Sequence, residues 1–187
     1  SYGHGRLSLV PHETIDGKKQ GGLIRFPIPD LATGVMRGRF HSGTGGDGQL
    51  YTCGMAAWST SQSKKKGGLF RIRYTGKPAH LPTQLSARQK GVSVTFSEPL
   101  DPASITPKAL KIKSWDYIRS KNYGSKHLNE KSHSVTATSL SPDGKTLTFQ
   151  IAELSTCWQM SIKYELQAKD GSPVRGEIQN TIHTLRP

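Results

Sequence analysis

Short runs in which apolar and polar residues alternate are the feature that most constrains how this chain folds. The clearest cases are VSVTF at 92–96, TLTFQI at 146–151 and MSIKYEL at 160–166. A two-residue period places one face of a strand in a core and the other in water. No segment shows a sustained period of 3.6 residues, so the sequence predicts an all-β protein.

Turn residues separate these runs in the second half of the chain. SPDGK at 141–145 and DGSP at 170–173 contain Asp-Gly pairs, which supply the backbone angles of a tight turn. Seven strands are predicted here, at 84–88, 92–96, 109–118, 134–140, 146–151, 160–168 and 177–184. Seven short strands in about 100 residues are typical of an immunoglobulin-like (Ig-like) β-sandwich, which we predict over residues 83–187.

The first half is rich in glycine and also indicates short strands. We predict them at 5–10, 21–28, 36–40, 49–55 and 69–74, with a polar turn around Asp16 and Gly17. The stretch HSGTGGDG at 41–48 suits residues with positive φ. This pattern favours a blade-like antiparallel segment over residues 1–75, a meander or part of a β-propeller. Residues 76–82 contain two prolines without alternation and are predicted to be a linker.

The chain is strongly basic, with 26 Lys and Arg against 13 Asp and Glu, a net charge of +13. Such a charge favours an acidic partner such as nucleic acid, an anionic polysaccharide or a membrane surface. However, the basic residues are scattered singly, apart from Lys64, Lys65 and Lys66, which we interpret as a solvated hairpin tip. Nucleic acid is therefore disfavoured as a partner, whereas a polysaccharide stays open. No apolar stretch approaches the roughly 20 residues of a membrane span.

Cys53 and Cys157 are the only cysteines, and neither belongs to a CxxC pair. The sequence therefore encodes no zinc or haem attachment motif of that kind. A disulfide would require their two strands to meet. Since both cysteines lie in apolar strand contexts, we favour buried free thiols.

Several segments together resemble a known group of proteins. They are SYGHGRL at 1–7, TGVMRGRF at 33–40, QLYTCGM at 49–55, GGLFRIRYTGKP at 67–78, YGSKH at 123–127, SPDGKT at 141–146 and NTIH at 180–183. In these the chain resembles the C-terminal region of very large secreted bacterial proteins of the membrane-bound-dehydrogenase type. Those proteins join a sugar- or sorbosone-dehydrogenase-like propeller to a c-type haem domain. FSEPLDP at 96–102 also resembles the first hairpin of bacterial Ig-like domains of surface-layer proteins.

The resemblance implies a non-catalytic structural or interaction module of a large exported redox protein, located outside the cell or in the periplasm. Its partners would be other domains of the parent protein or a second copy of the chain. No cofactor carries over, because the haem-binding CxxCH segment is absent and only about one and a half propeller blades are present.

The segment 115–133, interpreted as a polar insertion between strands, holds the candidate ligand-binding residues. They are Trp115, Tyr117, Arg119, Lys121, Tyr123, Lys126 and His127. Aromatic faces stack against sugar rings, while cations bind hydroxyl or acidic groups, so a carbohydrate- or anionic-polymer-binding module is the alternative function. The structural alternative is that Trp115 and Tyr117, which alternate with Asp116, bury one side of a strand. Single-stranded nucleic acid would use a similar mixture and is the least favoured ligand.

No catalytic residue is predicted. A GxSxG elbow is missing, and most acidic residues fall in turns, as do Asp16, Asp143 and Asp170. We also favour turn roles for Glu98 and Asp101 over calcium binding. A free-standing enzyme is therefore the least favoured class of function.

No metal or phosphate site is predicted either. None of the seven histidines pair at i, i+2 or i, i+4, and His127 and His133, with Glu130 between them, are the nearest approach to a ligand set. The glycines at 43, 45, 46 and 48 are not followed by the Gly-Lys-Ser of a phosphate-binding loop.

Overall fold

The computed structural model describes residues 3–56 and 64–187. The first two residues of the segment 1–7, and the Ser-rich stretch ahead of the lysine triplet, lie outside the described residues. The described chain consists of antiparallel strands with two single-turn 3₁₀ helices, at Pro102–Ser104 and Pro107–Ala109. The prediction of an all-β fold is confirmed.

Fourteen strands are present in the described residues. They are β1 (Ser8–Leu9), β2 (His12–Ile15), β3 (Lys18–Arg25), β4 (Arg37–Phe40), β5 (Leu50–Met55), β6 (Gly67–Ile72), β7 (Pro82–Arg88), β8 (Gly91–Phe96), β9 (Leu110–Asp116), β10 (Leu128–His133), β11 (Val135–Leu140), β12 (Thr146–Ile151), β13 (Cys157–Gln167) and β14 (Pro173–Ile182). The sequence pattern missed β2 and β10. Both are short, and neither carries a clean apolar alternation.

The strands belong to two compact units. The first unit extends to Ser8 and resumes from Arg25 to Pro78, and the second consists of Leu9–Ile24 and Ala79–Pro187. The junction after Pro78 falls inside the predicted linker 76–82. By contrast, Leu9–Ile24 lies within the predicted first segment, 1–75, although it belongs to the second unit.

The second unit contains two sheets that share one core. The larger sheet has the order β1-β3-β14-β13-β9-β10, with β2 also paired to β3, and the smaller has the order β11-β12-β8-β7. Both contribute fully buried side chains, among them Val92 and Phe149 from the smaller sheet and Ile162 from the larger. Phe96 and Tyr164 meet edge to face between the sheets, with ring centroids 5.6 Å apart. The alternation in the sequence therefore placed these side chains correctly; the more specific Ig-like description stays a prediction.

A tight hairpin brings β2 and β3 into the larger sheet. Asp16 and Gly17 both have positive φ, 49° and 74°, which matches the two-residue turns that favour Asp-Gly. β3 then pairs with β14, and Gly22 lies where a Cβ atom would come 2.6 Å from Cγ2 of Ile178. Glycine therefore permits the close approach of side chain to backbone at this point.

A hydrogen-bonded carboxylate fixes the hairpin to the rest of the second unit. Glu13 accepts hydrogen bonds from the side-chain amide of Gln20, the hydroxyl of Ser86 and the backbone N–H of Ala87, each at 2.8 Å. Arg186 lies 3.3 Å from the same carboxylate. These contacts join β2 and β3 to β7 and to the last residues of the chain. Together with the pairing of β3 with β14, they hold Leu9–Ile24 in the second unit.

The first unit contains the three-stranded antiparallel sheet β4-β5-β6. The loop between β4 and β5 holds Gly43, Gly45 and Gly48, whose φ values are 94°, 79° and 67°, so the predicted turn role of this glycine stretch is confirmed. The three lysines at 64–66 are exposed, as expected, but they precede β6 directly, and the Lys66 carbonyl accepts from the N–H of Ala56 at 2.8 Å. They therefore lie at the β6 end of the connection, and the interpretation as a hairpin tip is wrong.

Within residues 3–56 and 64–187, no helix has the length and apolar character needed to cross a bilayer.

Candidate functional site

The aromatic residues of segment 115–133 lie at one end of the larger sheet. Trp115, the next-to-last residue of β9, stacks against His127, with ring centroids 4.2 Å apart and ring planes 15° from parallel. The Nδ1 atom of His127 is 2.8 Å from a carboxylate oxygen of Glu130, whose other oxygen accepts a hydrogen bond from Lys113 at 2.8 Å. These bonds, that of Lys113 first, lower the pKa of Glu130, which is therefore held as a carboxylate.

The segment is not one continuous insertion. Residues 128–133 form β10, which pairs with β9, so the connection is reduced to 117–127. The interpretation of 115–133 as a polar insertion between strands is wrong for residues 128–133. Its polar side chains are those of a strand at the edge of a sheet, where one face and one edge meet water.

Tyr117 contacts a residue that the sequence did not single out, Trp158. Their ring centroids are 5.5 Å apart, and His183 meets the Trp158 ring edge-on at 6.0 Å. Trp158 is 52% exposed, although its backbone is fixed. The backbone N–H of Trp158 donates to Asp116 at 3.1 Å, and its backbone carbonyl accepts from the hydroxyl of Thr181 at 3.0 Å. An exposed ring on a fixed backbone is prepared for a ligand at little entropic cost.

We call Tyr117, Trp158, His183 and Asp116 the aromatic end. Asp116 lines two hollows, each of about 340 Å³. One is lined by Trp158 and His183, and the other by Trp115, Asn129 and Glu130 among others. The site thus combines an exposed indole with carboxylate and amide groups.

A ladder of polar side chains extends from Trp115 across the outer face of the larger sheet. Gln159 lies opposite Trp115 and donates to Gln179 at 2.7 Å, which in turn donates to Glu177 at 2.6 Å. The hydroxyl of Ser161 donates to the same Glu177 oxygen at 2.5 Å. Amides in such a ladder keep unused donors and acceptors that can bind hydroxyl groups.

The other candidate residues lie in the connection 117–127 and are exposed: Arg119, Lys121, Tyr123 and Lys126. Tyr123 is fully exposed, and no ring contact involves it among the described residues. The structure therefore brings Trp115, Tyr117 and His127 to one end of the sheet. It leaves the remaining four on a solvated loop.

Trp158 was missed for a physical reason. In a regular strand it would share a face with Met160, which is fully buried, so the sequence pattern places it in the core. The pairing of β13 with β14 is irregular between Cys157 and Met160. A bulge of this kind redirects side chains, and here the indole is directed into water. Only the pairing partner of a strand reveals such an irregularity.

Both cysteines are free thiols, as predicted. The expectation that both are buried is wrong for Cys53, which is exposed at a position where β5 has a solvent-facing side. Cys157 lines both hollows beside Asp116 and is partly buried. Burial raises its pKa to about 11, with a smaller contribution from the Asp116 charge, so it is a neutral thiol at physiological pH.

The two histidines considered for metal binding have separate partners. Whereas His127 contacts Glu130, His133 lies 2.7 Å from the hydroxyl of Ser114, and burial together with the Lys131 charge lowers its pKa. In the part of the chain that the structure describes, no three His, Cys, Asp or Glu residues are placed to hold a metal ion.

Asp101 takes the local turn role predicted for it, whereas Glu98 contacts a segment 18 and 19 residues away. The Glu98 carboxylate accepts from the backbone N–H groups of Ala79 and His80, at 3.3 and 2.7 Å. Asp101 caps the first 3₁₀ helix by accepting from the N–H of Ala103 at 3.0 Å.

Comparisons with protein-family models, with curated proteins and with solved structures each found no match for the chain.

Proposed function

We propose that this chain is a non-catalytic carbohydrate-binding module and that the aromatic end is its binding site. The observation that carries the proposal is the half-exposed indole of Trp158, supported by Tyr117 and His183 on a fixed backbone. An exposed aromatic face offers apolar area for the C–H face of a sugar ring. Asp116, which lines both hollows, provides acceptors for the hydroxyl groups of the sugar.

The polar ladder extends this site along the sheet. It begins beside Trp115 and runs through Gln159 and Gln179, so a ligand longer than one sugar would meet amide groups after leaving the indole. Trp115 itself has one face covered by His127 and serves to position the site rather than to stack on a ligand. The ligand class favoured by this arrangement is a neutral polysaccharide.

The test is retention on immobilised neutral polysaccharides, namely cellulose, xylan, mannan and chitin, measured for the chain and its variants. Trp158→Ala should weaken binding at least about tenfold, because it removes the stacking surface. The matched control is Tyr74→Ala, which removes a still more exposed aromatic residue (81% against 52% for Trp158) from the first unit and should change nothing. Tyr123→Ala should cost less than about threefold.

Two outcomes would contradict the proposal. One is that the chain is retained on none of the four polymers at low salt. The other is that Trp158→Ala and Tyr74→Ala bind equally well, which would show that the indole does not contribute to retention.

The second candidate function is that of a C-terminal module bracing a large exported redox protein, as the sequence resemblance implies. One observation favours it. Phe40, which is 64% exposed, pairs with Leu50, and Leu50 with Ile72, so these side chains form an apolar strip on one face of the β4-β5-β6 sheet that is open at Phe40 and partly buried at the other two. Such a face suits packing against another sheet of a parent protein. The reading frame around this segment tests it: propeller blades and a CxxCH motif should be encoded upstream, and their absence would refute it.

A further inference from the structure

The positive charge is concentrated in the smaller unit. By sequence, residues 1–8 and 25–78 contain 10 basic and 2 acidic residues, whereas 9–24 and 79–187 contain 16 and 11. The net charges are therefore +8 in 62 residues and +5 in 125. A division of the chain in sequence order hides this difference, because the acidic Glu13 and Asp16 belong to the larger unit.

Both acidic residues of the first unit already have partners. Asp30 lies 2.6 Å from Arg25 and 3.3 Å from Arg6. Asp47 accepts from the hydroxyl of Tyr51 at 2.7 Å, and that bond, more than the nearby His41, lowers its pKa. The unit therefore has no acidic residue left to neutralise the arginines of its sheet.

The register of the sheet gathers those arginines on one face. Arg39 lies opposite Tyr51, which lies opposite Arg71. Two residues along the strands, Arg37 lies opposite Cys53. Residues paired across strands, and residues two apart along a strand, share a face. We call this set, together with Leu69, the arginine face: Arg37, Arg39, Tyr51, Cys53, Leu69 and Arg71.

The arginine face is open to solvent and carries a hollow of about 650 Å³, lined in part by Arg39, Tyr51 and Leu69. All three arginines are exposed, and Leu69 is 75% exposed. None of these arginines forms an ion pair within residues 3–56 and 64–187. From strand geometry, Arg37 and Arg39 are about 7 Å apart at Cα, and Arg39 and Arg71 about 10 Å. Three exposed cations at these spacings suit a polymer with a repeated negative charge.

We propose that the arginine face binds an acidic polysaccharide, with the guanidinium groups pairing with its carboxylates and with Leu69 and Tyr51 beneath its sugar rings. Guanidinium groups pair with carboxylates through two parallel hydrogen bonds. Single-stranded nucleic acid fits less well, because binding of successive bases needs successive open ring faces. Of the three rings that line the hollow, Phe40, His41 and Tyr51, the last two meet edge to face at 6.0 Å. The proposal does not depend on the aromatic end.

The experiment measures binding to polygalacturonate, an unbranched polymer with one carboxylate per sugar, at several salt concentrations. The triple variant R37Q/R39Q/R71Q should bind at least about tenfold more weakly than the unmodified chain. Its plot of log K against log salt should also be less steep, by about one unit for each arginine in contact. The charge-preserving R37K/R39K/R71K should show an intermediate loss, because lysine cannot pair through two parallel hydrogen bonds.

The matched control is K64Q/K65Q/K66Q, which removes three positive charges from the same unit but not from the arginine face. It should lose less than about threefold. Equal losses in the two glutamine triples would overturn the proposal, since binding would then follow net charge alone. Tighter binding to a 20-residue oligothymidylate, lost in R37Q/R39Q/R71Q, would overturn it in favour of nucleic acid. Trp158→Ala should bind polygalacturonate normally, so this proposal and the proposed function fail independently.

Discussion

Replacing Glu13 by alanine should destabilise the second unit more than replacing an exposed glutamate by alanine. The Glu13 side chain is 8% exposed and accepts hydrogen bonds from Gln20, Ser86 and Ala87. Ala87 is fully buried and Gln20 is 5% exposed, so their donors cannot turn to water once the carboxylate is gone. Removal of the Glu13 side chain therefore leaves buried polar groups without a partner.

The expected magnitude follows from those two donors. A buried donor left without a partner costs about 1–3 kcal/mol, so Glu13→Ala should lower the free energy of unfolding by about 2–6 kcal/mol. The Arg186 contact adds little, because that side chain is 42% exposed. Glu13→Gln, which keeps one acceptor oxygen, should lose about half as much. The measurement is urea unfolding followed by tryptophan fluorescence, with a midpoint decrease of about 1–2 M for the alanine variant.

The control is Glu165→Ala, because Glu165 is an exposed residue of β13 for which the described residues provide no ion pair. Its unfolding free energy should change by no more than about 0.5 kcal/mol. If Glu13→Ala and Glu165→Ala unfold at the same urea concentration, then the Glu13 contacts do not hold the hairpin in the second unit. Hydrogen exchange gives an independent readout, since the Ala87 amide should exchange faster in Glu13→Ala and not in Glu165→Ala.

Three further results are expected. Asn180→Leu should raise the free energy of unfolding by about 1–3 kcal/mol in the same urea assay. The reason is that Asn180 is fully buried and, among the described residues, both polar atoms of its side chain lack hydrogen-bond partners. A lower free energy of unfolding would show that the amide is satisfied. Burial acts to raise the pKa of Glu98, but hydrogen bonds from Ser97 and two backbone amides lower it overall. The Glu98 carboxylate therefore adds stability that is complete above its ordinary pKa of 4.5 and is lost as the pH falls. Glu98→Gln should flatten the decline of the unfolding midpoint between about pH 6 and pH 3. An unchanged slope would refute this. Finally, Cys53→Ser leaves Cys157, whose pKa is about 11, as the remaining thiol. This variant should react with a disulfide reagent at about pH 8 roughly 100-fold more slowly than Cys157→Ser. Equal rates would contradict the burial of Cys157.

Local pattern was sufficient for the class of fold and for most of its strands. Alternation of single residues decides which face of a strand is apolar, and Asp-Gly or glycine-rich stretches decide where the chain turns, so both can be recognised without knowing any partner strand. The segment 146–151 was predicted with its observed bounds, and the turn at Asp16 and Gly17 was expected where it occurs. Trp115, Tyr117 and His127 were also recognised as candidates, because aromatic and basic residues that interleave are visible locally.

What only the tertiary structure decided depends on contacts between residues far apart in sequence. Leu9–Ile24 belongs to the second unit, where β3 pairs with β14 and Glu13 bonds to Ala87, 74 residues away. Trp158 faces water because the pairing of β13 with β14 is irregular beside it, and the three arginines share a face because of the register of β4, β5 and β6. A sequence specifies the period of each strand, but register, bulges and long-range hydrogen bonds depend on the free energy of the whole assembly of strands.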